Sequence, residues 1–239
     1  METILATAGL RKRFGGVVAT DDVTLEVPEG TLRCIIGPNG AGKSTLFAML
    51  CGIHRPDAGR IFLKGRDATR LAAFQRVRLG MGLTFQTNRA YHNLSVRQNL
   101  KAPLRVVRED RPADADERLT YALEHFGLDP KSTQLARELP HHQLQWLEIA
   151  MVLVGGPDIV LLDEPTAGMS PEETLKTARV LKHLNEAGLT IVVVEHDIAF
   201  VREVARVVTV LHQGRVFAEG SVESITAHAD VRRIYLGQA

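Results

Sequence analysis

The stretch Gly37-Pro38-Asn39-Gly40-Ala41-Gly42-Lys43-Ser44-Thr45 decides the fold of this chain. It fits the phosphate-loop pattern G-x-x-x-x-G-K-[ST], and its flanking residues fit as well. Residues 31–36 form a short apolar, β-branched run that is typical of a buried strand. The residues after Thr45 carry apolar side chains at helical spacing as far as Gly52, where a helix would end. The sequence therefore predicts a strand, a glycine-rich turn and a helix, in that order.

This order of elements predicts a binding site for a nucleotide. Glycines let backbone N–H groups face a polyphosphate, and the start of the helix adds a partial positive charge. Lys43 is predicted to reach the β- and γ-phosphates, and the hydroxyl of Ser44 to hold Mg²⁺. A chance glycine-rich turn is the alternative, and the matching flanks argue against it. The predicted nucleotide-binding residues of the loop are Gly37, Pro38, Asn39, Gly40, Ala41, Gly42, Lys43, Ser44 and Thr45.

The composition is that of an ordinary globular protein. Its 239 residues fit one domain with a sizeable core, and 45% of them are hydrophobic. The formal net charge of +1 argues against an electrostatic nucleic-acid binder. Cys34 and Cys51 stand in apolar context, so we expect free, buried thiols in a reducing compartment. The first residues lack signal-peptide features and no run of about 18 apolar residues occurs, so we expect membrane association only through a partner.

Strand patterns alternate with helical patterns along most of the chain, which indicates an α/β fold with a mainly parallel sheet. Phe14 is predicted to lie on the first loop, either as a core aromatic or as a ring that stacks on a base. Strands are predicted for residues 3–8, 23–27, 31–36, 60–64, 83–85, 158–162, 190–194, 207–211 and 215–219. Helices are predicted after the phosphate loop, over 143–154, from 171 onward and over 197–205.

Two helix starts carry capping signals. Ser95 is followed three positions later by Gln98, the pattern of a capping box. Ser170, Pro171 and Glu173 give the same pattern, with proline at the first helical position. Both signals predict where a helix begins.

Two acidic residues follow one of the apolar strands. Asp163 and Glu164 come directly after residues 159–162, and the carboxyl ends of strands border the ligand-binding crevice of α/β sheets. Asp163 is predicted to hold Mg²⁺ through water. Glu164 is predicted to be the general base that orients or deprotonates the attacking water. An exposed acidic turn is the alternative interpretation.

The next apolar strand is also followed directly by polar residues. Residues 192–194 are followed by Glu195 and His196. His196 is predicted to contact the γ-phosphate or the attacking water. From spacing alone, a structural hydrogen-bond partner is an equal alternative.

Together and in this order, these elements closely resemble the ATP-binding subunits of ABC transporters, over essentially the whole chain. The resemblance implies a P-loop NTPase (RecA-like) core with a mainly parallel sheet, an N-terminal antiparallel β subdomain and a helical subdomain. The single ABC ATPase domain, 1–239, would divide into a nucleotide-binding core of residues 1–86 and 151–239 and a helical subdomain of residues 87–150. The implied activity is transport-coupled hydrolysis of ATP, with Mg²⁺ as cofactor.

The resemblance also implies roles for single residues. Phe14 is similar to the aromatic residue that stacks on adenine. Gln86 is similar to the glutamine that contacts Mg²⁺ and senses the membrane partner. His196 is similar to the switch histidine, so the resemblance favours its functional interpretation.

The subgroup can be narrowed by four short segments, residues 145–149, 167–170, 195–197 and 234–237, which resemble the branched-chain amino acid uptake family. Residues 209–214 resemble its urea and short-amide branch. This implies a peripheral subunit on the cytoplasmic face of the membrane. Its partners would be a second ATPase, permeases bound through the helical subdomain and an extracytoplasmic substrate-binding protein. The alternatives are a lipopolysaccharide-export ATPase and a nucleotide-binding scaffold with weak hydrolysis.

One motif departs from the family. The signature segment reads Leu139-Pro140-His141-His142-Gln143, where the family has Leu-Ser-Gly-Gly-Gln, or Leu-Ser-His-Gly-Gln in this branch. In the family, this segment contacts the γ-phosphate bound by the opposite subunit. Pro140 removes a hydroxyl and a backbone donor, and His142 places a bulky ring where glycine permits close approach. We therefore expect a heterodimer with one competent and one impaired site, with a homodimer as the alternative.

Overall fold

The computed structural model describes residues 2–84, 88–103 and 111–236. The strands of these residues are β1 (Thr3–Phe14), β2 (Val17–Pro28), β3 (Leu32–Ile36), β4 (Ala58–Leu63), β5 (Arg66–Asp67), β6 (Met81–Leu83), β7 (Ile159–Asp163), β8 (Thr190–Val194), β9 (Val207–His212) and β10 (Arg215–Gly220). The helices are α1 (Lys43–Leu50), α2 (Ala73–Arg78), α3 (Val96–Lys101), α4 (Ala115–Phe126), α5 (His141–Val154), α6 (Pro171–Glu186), α7 (Ile198–Val204), α8 (Val222–Ala227) and α9 (Ala229–Leu236).

The strands form two sheets in the described part of the chain. One is antiparallel, in the order β2-β1-β4-β5, and the other has the order β10-β9-β3-β8-β7-β6. Every neighbouring pair of the second sheet is parallel except β10 with β9. The predicted α/β class, with a mainly parallel sheet and an N-terminal antiparallel unit, is confirmed.

The prediction that Phe14 lies on a loop is wrong. Phe14 is the last residue of β1 and pairs with Val17 of β2. The predicted strands were too short because the hairpin continues to the two-residue turn at Gly15 and Gly16. Gly15 has a φ of 57°, the left-handed backbone that such tight hairpin turns require.

The central strands are buried along their whole length, as their unbroken apolar sequences predict. All residues of β3 and β8 are buried, and so are the first four residues of β7. One face of the six-stranded sheet packs with α1 against the antiparallel sheet, and the other face packs against α5, α6 and α7. Parallel strands covered on both faces take such continuous apolar runs.

Both predicted capping boxes are confirmed. At the start of α3, Ser95 Oγ accepts the N–H of Gln98 at 3.2 Å, and Gln98 Oε1 accepts the N–H of Ser95 at 2.9 Å. At the start of α6, Ser170 and Glu173 make the same pair of bonds at 3.3 and 2.8 Å. These bonds satisfy amides that have no partner within the helix.

A buried arginine ties α2 to the end of α1. The guanidinium of Arg76 donates to the carbonyls of Met49 and Leu50, at 2.7 and 2.5 Å, and to those of Ala68 and Leu71, at 2.8 and 3.1 Å. Burial lowers the pKa of Arg76 to about 10. Because Met49 and Leu50 belong to the last turn of α1, this side chain caps the helix that begins at the phosphate loop.

The helical region between β6 and β7 contains α3, α4, a 3-10 turn over Ala136–Glu138, and α5. Helix α5 crosses residue 150, the predicted subdomain boundary, and continues to Val154. Cys34 and Cys51 are buried and free, as predicted. Among the described residues, no helix has the length and apolar character needed to cross a membrane.

Candidate nucleotide site

The phosphate loop connects β3 to α1, and two of its glycines are required by close backbone contacts. A Cβ atom at Gly37 would lie 2.3 Å from the carbonyl oxygen of Leu211. A Cβ atom at Gly42 would lie 2.2 Å from the carbonyl oxygen of Ala19, and the φ of Gly42 is 100°. No side chain fits at either position, so the loop passes close to neighbouring backbone as a glycine-rich phosphate cradle does.

Lys43 is the first residue of α1, and its side chain reaches back over the loop. Its Nζ donates to the carbonyl of Gly37 at 2.6 Å and to that of Pro38 at 3.2 Å. Burial lowers the pKa of Lys43, and the nearby charges of Glu164 and Asp163 act in the opposite direction. The ammonium group is therefore bonded to the loop carbonyls and interacts electrostatically with the two acids at the end of β7.

The two acids lie at the end of β7, and β8 separates this strand from β3 in the sheet. Burial raises the pKa of Asp163 to about 6, with further contributions from the charges of Glu164 and Glu195, while Lys43 lowers it. Glu164 has a φ of 48°, which is uncommon for a residue other than glycine. Its N–H donates to the carbonyl of Val194 at 2.9 Å. The chain thus turns sharply after Asp163, and this breaks the alternation of side chains along the strand.

His196 follows β8, and its side chain is 62% exposed. Its Nδ1 lies 3.6 Å from Oε1 of Glu164 and 3.7 Å from Oε2 of Glu195. The structure therefore brings together the residues that the sequence places after β3, β7 and β8.

The sequence did not assign a role to Glu195, which is only 1% exposed. One carboxylate oxygen accepts the hydroxyl of Thr166 at 2.5 Å and its N–H at 3.3 Å. The other oxygen accepts the N–H of His196 at 2.9 Å and that of Asp197 at 3.4 Å. Glu195 thereby joins the segment after Glu164 to the segment that carries His196. The signal in the sequence was a glutamate directly after four apolar strand residues.

Phe14 lies at the tip of the β1–β2 hairpin and is 46% exposed. Its ring meets that of His54 edge-on, with 5.4 Å between the centroids, and Lys12 Nζ lies 5.6 Å from the centroid of Phe14. This surface ring has a face that a flat base can stack on. Gln86, the predicted sensor of Mg²⁺, lies outside the described residues.

The residues at this site fit Mg²⁺ when it is held together with phosphates. Within residues 2–84, 88–103 and 111–236, no group of three or more His, Cys, Asp or Glu side chains is placed to hold a metal ion. Mg²⁺ typically binds through one or two carboxylates together with substrate phosphates and water. The raised pKa of Asp163 reflects burial and crowding with other acids, and a bound cation would relieve that repulsion. Ser44 and Asp163 are the residues that would hold it.

The altered signature segment leads into α5, with Pro140 as its N-cap residue. His141 Nε2 lies 3.1 Å from the carbonyl oxygen of Ala167. His142 Nδ1 lies 2.7 Å from Oε1 of Glu173. Both histidines therefore contact the segment that links β7 to α6 or the first turn of α6. Proline at the start of the helix is tolerated, since α5 forms over 14 residues.

Two curated relatives match the chain over nearly its whole length. The high-affinity branched-chain amino acid transport ATP-binding protein LivG of Salmonella typhimurium is 36% identical, over 100% of this chain and 99% of its own. The lipopolysaccharide export system ATP-binding protein LptB of Escherichia coli (strain K12) is 32% identical, over 98% of this chain and 97% of its own.

Two solved structures share the fold. The ADP conformation of MJ1267, an ATP-binding cassette of an ABC transporter, superposes with a TM-score of 0.85 at 28% identity and covers 100% of both chains. The dimeric structure of MJ0796, a bacterial ABC transporter cassette, superposes with a TM-score of 0.79 at 26% identity, over 91% of this chain and 98% of that one. The family model described as ABC transporter matches residues 20–167. The chain is therefore an ABC-type ATPase and belongs to the ATP-binding subunits of the ABC transporter family.

Proposed function

We propose that this ATPase powers an importer of branched-chain amino acids, or of urea and short amides, from the cytoplasmic face of a membrane. The observation that carries the catalytic part is the convergence of three adjacent strands. β3, β8 and β7 end at one edge of the sheet. Lys43 follows β3 after the phosphate loop, His196 comes after β8, and Asp163 and Glu164 lie at the end of β7. The likeness to LivG over the whole chain supports the transported substrate class.

The chemistry proposed for this edge is transfer of the γ-phosphoryl group of ATP to water. The loop amides and Lys43 bind the phosphates. Ser44 and Asp163 would hold Mg²⁺, which would supply further neutralisation of the phosphate charge. Glu164 orients the attacking water and takes its proton, while His196 contacts the γ-phosphate or that water. Phe14 would stack on adenine. The role proposed for Gln86, sensing the cation and the membrane partner, rests on the family resemblance alone.

The permease is proposed to dock on an apolar groove between the core and the helical region. This groove has a volume of about 400 Å³ and lies between α2, β6 and α5. Phe74 on α2 is 60% exposed at its edge, and Met81, Met151 and Val152 also line it. An exposed aromatic beside an apolar groove suits the apolar face of a short helix from a partner.

A second ATPase subunit is proposed to complete the site, in a head-to-tail dimer. In such a pair the phosphates bound at Lys43 face the signature segment of the other subunit. The dimeric structure of MJ0796 supports pairing of such cassettes. Since Pro140 cannot supply the serine hydroxyl of the family signature, a heterodimer with a standard second signature is favoured over a homodimer. A substrate-binding protein outside the membrane would deliver the cargo.

A nucleotide-binding scaffold with weak hydrolysis is the second candidate, favoured by the altered signature segment. A lipopolysaccharide-export ATPase is a further candidate, favoured by the likeness to LptB. The Glu164→Gln variant distinguishes the transport motor from the nucleotide-binding scaffold. A motor subunit loses turnover of ATP and still binds it, whereas the turnover of a scaffold hardly changes. The assay compares steady-state ATPase with nucleotide binding, for the chain alone and with its second subunit.

Cargo is identified with the reconstituted transporter. ATPase and uptake are measured in proteoliposomes with leucine, urea or a short amide and the matching binding protein. Stimulation by leucine or by urea supports import. Activity that depends on lipopolysaccharide instead would contradict the proposed importer while leaving the ATPase assignment in place.

A further inference from the structure

His142 stands where the related signature has glycine, and its ring is directed toward α6. Its Nδ1 lies 2.7 Å from Oε1 of Glu173, and its side chain is 24% exposed. Its ring meets that of Trp146 edge-on, with centroids 4.8 Å apart and an interplanar angle of 65°. Residues four apart lie on one face of a helix, so His142 and Trp146 form a continuous surface against α6.

Both contacts of His142 are themselves held in place. The second oxygen of Glu173 accepts the N–H of Ser170 at 2.8 Å, so the carboxylate has one oxygen for the cap and one for the imidazole. The indole N–H of Trp146 donates to Thr177 Oγ1 at 2.8 Å in a buried position. The hydrogen bonds with Ser170 lower the pKa of Glu173, and the charges of His142 and His141 lower it further. The partner of His142 is therefore an ionised carboxylate at neutral pH.

The ring position matters because the first turn of α5 has no side-chain cap. Pro140 is the N-cap residue and offers none, and the first hydrogen bond of the helix runs from the N–H of Leu144 to the carbonyl of Pro140, at 3.1 Å. The amides of the first turn precede this bond and are donors that helices leave open for an anion. An imidazole released from Glu173 could fold over these amides.

We propose that Glu173 is a positioning residue that holds the His142 imidazole against α6 and so keeps the first turn of α5 open. The inference rests on the proposed function, which places this turn opposite the phosphates bound by the second subunit. The sequence led us to expect that the bulk of His142 obstructs the γ-phosphate bound by the opposite subunit. With the ring held against α6, that bulk does not block the phosphate. The loss of the serine hydroxyl at Pro140 remains.

The test uses the ATP-dependent dimer of the full chain with its second subunit, trapped by Glu164→Gln in this chain and by the corresponding glutamate-to-glutamine substitution in the second subunit. Glu173→Ala in this background should raise the ATP concentration for half-maximal dimerisation by about tenfold, as expected for the loss of a hydrogen bond to a charged group. Adding His142→Gly removes the released ring and should restore the parent value. Glu172→Ala is the matched control, since it removes a neighbouring charge from the same first turn of α6 and should leave the value unchanged.

Two further measurements distinguish loss of the His142–Glu173 contact from loss of the helix cap that Glu173 makes with Ser170. Glu173→Gln keeps an amide oxygen for the Ser170 cap but offers His142 an uncharged NH2 group, which the imidazole can accept only as the other tautomer, so it should show part of the Glu173→Ala effect. The melting temperatures of Glu173→Gln, His142→Ala and the double variant test the contact without nucleotide, and the double variant should lose less than the sum of the single losses.

The inference is overturned if Glu173→Ala leaves dimerisation unchanged, if His142→Gly does not restore it, or if the melting shifts are additive. Failure of the proposed function would give a different experimental result. In that case the Glu164→Gln parent itself forms no ATP-dependent dimer, whatever residue stands at position 142 or 173.

Discussion

Oε1 of Glu164 lies 3.6 Å from Nδ1 of His196, although the two residues follow different strands. The sheet register explains this, because Asp163 at the end of β7 pairs with Val194 at the end of β8. The N–H of Glu164 then bonds to the carbonyl of Val194 at 2.9 Å. The proposed general base and the proposed switch histidine are therefore held side by side by the backbone.

The His196→Ala variant should lower ATP turnover by about 100-fold, at the low end of the range for a group that acts on the proton or the reacting phosphate. Because the side chain is 62% exposed, neither the unfolding free energy nor nucleotide affinity should change much. Steady-state ATPase and equilibrium ATP binding measure the two effects, with exposed His92→Ala as control. Turnover equal to the parent would assign His196 a structural role.

Glu195→Gln should lower the unfolding free energy by about 2 kcal/mol, because one oxygen is replaced by a donor that faces other donors. The affected hydrogen bonds are those from Thr166 or those from His196 and Asp197, according to which oxygen is replaced. Turnover should fall while the KM for ATP stays near its parent value, since the phosphate loop is untouched. Urea unfolding and kinetics measure this, and Glu203→Gln on exposed α7 surface is the control. An unchanged variant would rule out Glu195 as a link between the two segments.

The pKa of Asp163 predicts a pH dependence of stability in the metal-free, nucleotide-free protein. The carboxyl has a pKa of about 6 in the folded chain, against the ordinary value of 3.8, so the folded chain binds more protons between these values. The unfolding free energy should therefore fall as the pH rises through this window and level off above it. Asp163→Asn should remove this contribution, measured by urea unfolding with EDTA at several pH values. The exposed Asp129→Asn variant is the control. If the unfolding free energies of the parent and of Asp163→Asn change with pH in parallel, Asp163 is not the source of the pH dependence.

Arg76→Met should lower the unfolding free energy by about 3 kcal/mol or more, since buried carbonyls lose their charged donor. Met49 and Leu50 would lose the cap at the end of α1. Arg76→Lys should recover only part of the loss, because an ammonium group lacks the planar fork. Chemical denaturation measures both, with Arg78→Met on the exposed face of α2 as control. Equal stability of Arg76→Met and the parent would show that water replaces the guanidinium.

Phe74→Asp should disrupt docking of the permease and spare the ATPase. The side chain is 60% exposed, so the isolated subunit should keep its melting temperature and basal turnover. Co-purification with the permease and stimulation of turnover in proteoliposomes should both be lost, because a carboxylate would face the apolar groove. Retained co-purification would place the permease elsewhere; Tyr91→Asp, at another exposed aromatic, is the control.

The sequence placed the candidate residues of the nucleotide site at strand ends because each strand pattern is local. Lys43 and His196 come after buried strands and Asp163 ends one; the apolar runs of these strands are visible in the sequence, and the sheet then brings the strand ends together. Glu195 and Arg76 were missed because their partners are set by packing between distant segments. Neither Thr166 nor the carbonyl of Met49 can be identified as a partner from the residues beside them.

Helix α2 was missed for a different reason. It has only six residues, too few for a helical period to be visible, and the same holds for α8. The length of the first hairpin was also underestimated, since the alternation of exposed and buried residues weakens toward Phe14.

The cap made by Arg76 gives the molecule a mechanical connection. Helix α2 carries Phe74 at the rim of the groove and Arg76 on its buried side, bonded to the last turn of α1. Helix α1 has eight residues, so it spans roughly 12 Å from that turn back to Lys43. A continuous bonded path therefore runs from the rim of the groove through α2, Arg76 and α1 to Lys43, whose ammonium group donates to the phosphate-loop carbonyls.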